Sequence, residues 1–544
     1  MSWRSNAALR GRGIILLAIL GLLSLRACQL LGVGPLLFDW EFVQFGSLAL
    51  EVEAGTRHLS ELWRRPEAWT YMEHAQGTML PIAGTALLVP WFGANIWSLH
   101  ATSVLPEALA LGLLLVLLWR RSGSVQVLLL TAFAWACVPR GAAVWQMLPF
   151  GNHTEFLWVA LAVALLLDVR PRSGAESGLV AGLLVLLLGL GFVAYRGTLA
   201  TGGALVLALT LTHGAAGFRR AVAIGFAASC LALGVLHALT DPEQWEGLRT
   251  LRELLLGAPV MDPSSWGSRI GRLPQRLPSG PAAVGSAWPY LGLVIFGGLI
   301  TTVQLLRRDA PQPPARGIAA PSDTSGRPAS LLFLVLWLLT SLAMTLAADA
   351  RYDQYFLQPF YGLLVCALVA PTLLAPGSLL RRLALLGVLS LGLLGVPDNA
   401  ELLRPSAWEA NRSYRGLALW GQFQMTSLDE DDIPYWDRLA GREDLRHFVG
   451  QGFPPNDRCG SNLRVGGKLP IPTPGTNRCS CWAEGTLATF VKQRLIEDPQ
   501  VPLEQLGMGA WIGCNREEAA LSAALKGLGP ALQGRIWAGA KELD

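Results

Sequence analysis

Gly34-Pro-Leu-Leu-Phe-Asp39-Trp-Glu41-Phe42 opens, and Tyr71-Met-Glu73-His74-Ala-Gln-Gly77 closes, a polar, acidic segment held between two strongly apolar ones. Such a loop has a direct physical reading. Its flanks meet a bilayer, and the loop presents carboxylates and indole rings at the lipid–water boundary. Outward from this stretch the chain keeps repeating the flanks. Of 544 residues, 52% are hydrophobic and 15% are charged, with mean hydropathy +0.40. Soluble domains carry roughly 25% charged residues. Repeated apolar runs broken by arginine pairs predict an all-α polytopic membrane protein. The net charge of +4 lies mainly in short inter-helix segments, where it encodes topology and gives no footprint for nucleic acid.

Apolar stretches at 13–33, 95–119, 123–140, 153–169, 177–194, 198–213, 220–239, 287–306, 329–347, 356–375 and 380–396 predict about eleven transmembrane helices. Arg120-Arg121, Arg170 with Arg172, Arg219-Arg220, Arg307-Arg308 and Arg381-Arg382 recur at their ends. Placing all of these in the cytoplasm with Arg4, Arg10 and Arg12 gives a consistent alternation, with the N-terminus inside and everything after about residue 397 outside. The first run reads as an uncleaved helix. Leu25-Arg26-Ala27-Cys28 hints at a lipoprotein site, but arginine is a poor residue there and the remaining chain is membranous. Residues 78–93 are apolar but short and hold two prolines, so they read as a re-entrant or interfacial helix in the outside first loop. Residues 240–286 form a second large outside segment, amphipathic from Trp245 to Leu256, and 309–328 is a proline-rich cytoplasmic linker.

The expected organisation is therefore a transmembrane domain over 1–396 and a small extracytoplasmic domain over 397–544. Cysteine usage supports the split. Cys28, Cys137, Cys230 and Cys366 sit in apolar runs, where a thiol is most simply a small buried hydrophobe. Cys459, Cys479, Cys481 and Cys514 share the polar C-terminal region, predicting two disulfides in an oxidising compartment. Zinc is the weaker alternative, because Cys479-Ser-Cys481 has a single intervening residue. A multi-pass protein of the plasma membrane, such as a bacterial inner membrane, fits this pattern.

The unusual polar residues collect at the predicted outside ends. The first loop holds Asp39, Glu41, Glu51, Glu53, Glu73 and His74. Later turns give Asn152-His153-Thr154-Glu155, Tyr195-Arg196-Gly197 and Asp349 to Tyr355 with Arg351 and Tyr352. Each has a plain reading: solvated loop carboxylates, a helix N-terminus for Glu155, interfacial anchors for Arg196 and Arg351. Asp429-Glu-Asp-Asp432 reads as a solvated acidic run, not a metal site. The set as a whole suits glycosyl transfer from a polyprenyl phosphate. The departing phosphate is an anion needing a guanidinium, and the acceptor needs a carboxylate or imidazole as general base. Trp40, Trp63, Trp69, Trp91 and Trp97 would stack on sugar or form an aromatic belt.

His74-Ala-Gln-Gly77-Thr-Met-Leu-Pro81, then Val89-Pro90-Trp-Phe-Gly93, then a span ending Leu118-Trp119-Arg120-Arg121, resembles the opening of the dolichyl-phosphate-mannose–protein mannosyltransferases. These and the lipid A aminoarabinose transferases belong to the C-type membrane glycosyltransferases. The resemblance covers roughly 13–396 and rests on layout. It departs from the family where Gln76-Gly77 replaces a double proline, and the cysteine-bearing tail is additional. It implies Asp39 as catalytic base, with Glu41 its competitor on the opposite face of an extended loop. Glu73, His74, His153, Glu155, Arg196, Arg351 and Tyr352 become substrate-binding candidates. The partners implied are a polyprenyl-phosphate-linked sugar, membrane lipids and an acceptor protein, lipid or glycan. No cofactor is required by the residues, and a divalent cation is the one candidate. The alternatives are a polymer ligase, a lipid flippase or carrier, and a non-catalytic membrane scaffold.

Overall fold

The computed structural model describes residues 2–33, 49, 52–53, 75–92, 96–148, 157–169, 171–194, 197–239, 287–306, 329–347 and 357–403. The described elements are all helical. They are α1 (Ser2–Val33), α2 (Ala75–Phe92), α3 (Ile96–Ser122), α4 (Val125–Ala136), α5 (Arg140–Met147), α6 (Leu157–Leu167), α7 (Gly174–Ala194), α8 (Thr198–Leu239), α9 (Ala287–Leu306), α10 (Ala329–Ala347), α11 (Leu357–Val369, continued by the 3-10 turn Ala370–Thr372) and α12 (Leu379–Glu401). Seven are long and apolar enough to cross a membrane, or eight if the bent pair α4–α5 counts as one span. The expected helices at 153–169 and 356–375 appear as shorter apolar elements. The apolar run at 13–33 extends back through its basic leader, because α1 is continuous from Ser2.

The chain forms two compact units, Met1–Gln29 with Thr102–Leu403, and Leu30–Ala101 with Arg404–Asp544. In the second unit, α2 carries Pro81 and Pro90 within its length. Ile82, Thr85, Ala86 and Val89 are buried along one side, while Leu87 and Trp91 are exposed. A helix with one covered and one open face is what its 3.6-residue period produces when only one side finds a partner.

In the first unit, α1 and α3 run antiparallel. Gly11 backs onto Trp119, Gly112 backs onto Ile19, and Arg26 meets Glu107, so one numbering rises as the other falls. The turn from α3 into α4 follows from Ser122-Gly123-Ser124. Gly123 takes φ 56°, its N–H returning to the Trp119 carbonyl at 2.9 Å, and the Ser124 hydroxyl caps Val127 N. At the same end, Arg121 pairs with Asp168 and donates to the Ser330 hydroxyl at 2.7 Å, tying the ends of α3 and α6 to the start of α10.

α8 reverses direction within its 42 residues. Gly214 has φ 59° and ψ −141°, outside any helical region. On its N-terminal side Thr198 lies against Gly191 of α7. On its C-terminal side Ala228 and Leu231 lie against Gly189. Both halves thus reach the same level of α7, which a straight rod of that length could not do. The break falls between the stretches expected at 198–213 and 220–239.

One expectation is corrected outright. Residues 123–140 do not form a single helix: α4 stops at Ala136, and α5 leaves at 82°. Pro139 stands at the start of α5, where its missing N–H and fixed φ suit a helix beginning and its ring opposes continuation of the preceding one. The thiols also differ from expectation. Cys137 and Cys366 are buried, but Cys28 and Cys230 are exposed on their helices. Leu16, Leu17 and Leu20 of α1 and Phe226 of α8 are exposed as well. In lipid such faces need no protein cover.

Candidate functional site

The bend between α4 and α5 releases backbone groups that no helix pairs, and α12 supplies partners for them. Asn399 donates from Nδ2 to the Val138 carbonyl at 2.7 Å and to its own helix at the Gly395 carbonyl, 2.8 Å. The Asp398 carboxylate accepts from Arg140 N at 3.1 Å, placing a negative charge on the first turn of α5. Gly395 lets this happen, since a Cβ there would run into the Cys137 carbonyl.

Beside the bend lies a charged pair that is almost wholly excluded from solvent. Arg26 and Glu107 are 0% and 1% exposed. Arg26 Nε donates to Glu107 Oε2 at 3.0 Å and Nη2 to Oε1 at 2.9 Å. Its remaining donors reach Gln29 Oε1 and Gln146 Oε1 at 2.7 Å each and Asn399 Oδ1 at 3.3 Å. A guanidinium has five N–H groups, and every nitrogen here is engaged. Gln29 Nε2 closes the ring of contacts by donating to Asn399 Oδ1 at 2.9 Å. Trp135 stands alongside, its indole nitrogen near the Glu107 carboxylate but outside hydrogen-bond geometry. Tyr361 packs against Trp135 with ring centroids 5.5 Å apart and donates to the Ala142 carbonyl at 3.4 Å. Among the described residues, Gln146 Nε2 and the Tyr290 hydroxyl are buried donors with no partner.

Arg26 lies fourteen residues past Arg12, and Glu107 thirteen before Arg120. At 1.5 Å per residue both are about 20 Å along their helices from those basic positions, within a hydrocarbon layer about 30 Å thick. An ionisable pair at such depth is costly and is a functional candidate by default.

The helix ends around this network are ordered. α3, α6 and α10 share one end through Arg121, Asp168 and Ser330. The opposite end holds the Ser103 hydroxyl on the Leu148 carbonyl at 2.8 Å, Gly191 against Val159 and Thr198, and Thr340 on the Ala200 carbonyl at 2.8 Å. Tyr361 and Asn399 are at that end too. The described ends that bracket residues 149–156, 195–196 and 348–356 therefore gather at one end of the first unit.

The predicted site residues themselves, Asp39, Glu41, Glu73, His74, His153, Glu155, Arg196, Arg351 and Tyr352, lie outside the described residues, as do Cys459, Cys479, Cys481 and Cys514. So do the amphipathic stretch expected at 245–256 and the linker at 309–328. Sequence reasoning passed over Glu107 and took Arg26 only as evidence against a cleavage site. The available signal was an acid and a base inside long apolar runs, where neither belongs unless paired. No protein-family model matches the chain, and no curated protein is similar enough to match it.

Proposed function

We propose that this helical membrane protein is a glycosyltransferase. It would move a sugar from a polyprenyl-phosphate donor to a protein, lipid or polymer acceptor. One observation supports this reading above the others: the helix ends bracketing residues 149–156, 195–196 and 348–356 gather at one end of the first unit. The segments they bracket hold His153, Glu155, Arg196, Arg351 and Tyr352. Guanidinium groups there would hold and neutralise the departing polyprenyl phosphate. Asp39 would take the acceptor proton as general base, with Glu41 the other candidate. In this reading the chain crosses the membrane eleven times, α8 counting twice. The N-terminus is cytoplasmic, and the cysteine-bearing region after residue 397 is outside with two disulfides. The test is transfer from a lipid-linked sugar by Asp39→Asn and Glu41→Gln proteins in nanodiscs. Loss of transfer in one of them is expected; undiminished transfer in both removes the mechanism.

A second reading draws on the bent helix pair. Transporters place broken helices and ionisable side chains at membrane depth, and α4–α5 lies beside the Arg26–Glu107 pair. A lipid carrier would move a polyprenyl-phosphate sugar between leaflets without breaking its glycosyl bond. Flipping of a labelled lipid by a protein that transfers no sugar would favour that reading.

A further inference from the structure

We infer that the buried Arg26–Glu107 pair is a positioning element, setting the ends of α5 and α11 next in sequence to the His153, Glu155, Arg351 and Tyr352 of the proposed site. The inference rests on the glycosyltransferase reading. Its basis is where the contacts of the pair fall along the chain. Gln146, held by Arg26 Nη2 at 2.7 Å, is the penultimate residue of α5, and the chain runs from there into the segment of His153 and Glu155. Tyr361 is four residues past the start of α11, directly after the segment of Arg351 and Tyr352. Its ring lies on Trp135 and its hydroxyl on the first turn of α5. One charged pair and its amide shell thus set the exit of α5 and, through Trp135 and Tyr361, the entry of α11.

Stability alone accounts poorly for such a pair. Two charges taken out of water recover little more than their desolvation cost, and apolar side chains of similar volume often serve folding as well. What a five-donor guanidinium adds is direction: each nitrogen accepts only a narrow placement of its partner. The contrast within the same unit is instructive. Arg121 and Asp168 form a second ion pair, but Arg121 retains 20% exposure and the pair lies at the opposite helix ends. It shares the chemistry and lacks the location.

The test compares the double variant Arg26→Met/Glu107→Met with Asp168→Asn and the wild type, all full-length in nanodiscs. The double variant replaces both charges by flexible apolar chains, so it leaves no buried charge uncompensated, whereas Glu107→Gln alone does. Sugar transfer from a polyprenyl-phosphate donor is expected to fall about 10²-fold in kcat, the scale of a misplacement near 1 Å. Amide exchange is expected to quicken at 140–148 and 357–361 and to stay unchanged at 165–169. Asp168→Asn should keep wild-type kcat. A folded double variant with wild-type kcat, or with unaltered exchange at 140–148, overturns the positioning role. Wild-type transfer retained in both Asp39→Asn and Glu41→Gln would instead overturn the underlying mechanism, an outcome independent of the Met variants.

Discussion

Asn399 reaches the Val138 carbonyl across the bend between α4 and α5, donating from Nδ2 at 2.7 Å. The bend is thus closed by a side chain 261 residues away in sequence. Asn399→Leu keeps the approximate volume and removes every polar atom. It leaves the Val138 carbonyl and one Arg26 N–H without their partners, and each buried unpaired group costs about 1–3 kcal/mol. The expected result is a clearly lower melting temperature in detergent. An unchanged melt would mean that the bend stands without this bond.

Gly395 and Gly178 make a matched pair of helix glycines with opposite surroundings. A Cβ on Gly395 would meet the Cys137 carbonyl, whereas one on Gly178 meets nothing within 4 Å. Gly395→Ala must push α12 off the bend and should cost about 1–3 kcal/mol, the usual scale for overpacking. Gly178→Ala should cost nothing and, by helix propensity, gain up to about 1 kcal/mol. Chemical denaturation of the two variants side by side reads the difference directly.

Gly214, at φ 59° and ψ −141°, occupies a region that residues with a Cβ rarely tolerate. Gly214→Ala should destabilise by about 1–3 kcal/mol. The loss should be specific to this position, because Gly225 in the second half of α8 also has open space around it but ordinary helical backbone. Equal melting of Gly214→Ala and Gly225→Ala would contradict the reversal.

Breaking the buried ion pair from one side should be worse than removing it. Glu107→Gln leaves the Arg26 charge uncompensated and is expected to cost about 3–5 kcal/mol. Arg26→Met/Glu107→Met removes both charges but leaves the Gln29 and Gln146 side-chain oxygens without their donor, so it should recover part of that. Thermal unfolding followed by loss of helical signal distinguishes the two, and a single variant as stable as the double one would contradict the pairing.

Much of the helix layout could be read from the sequence, because apolar length and arginine spacing are local signals. The arginine pair at 120–121 ends α3, and the break at Gly214 falls in the gap left between two apolar runs. The bend after Ala136 was not legible in the same way. Pro139 marks a boundary, but what stabilises an 82° departure is Asp398 and Asn399, which only the folded chain brings near. The Arg26–Glu107 pair shows the same limit. Each residue is anomalous within its own apolar run, yet nothing in local spacing couples position 26 to 107. The proposed acid and arginine turns were named from their chemistry and layout, and they lie outside the described residues.

Synthesis runs from the N-terminus, and the network around Arg26 can be assembled only in that order. Arg26 is made 81 residues before Glu107, 120 before Gln146 and 373 before Asn399. A nascent α1 therefore carries an uncompensated guanidinium to membrane depth, where it is costly to hold. The carboxylate that pairs with it comes only with α3, at Glu107. Even then the site is incomplete until the last described helix has been translated. A chain cut short before α12 lacks Asp398 and Asn399, and with them the side chains that pair the backbone of the α4–α5 bend.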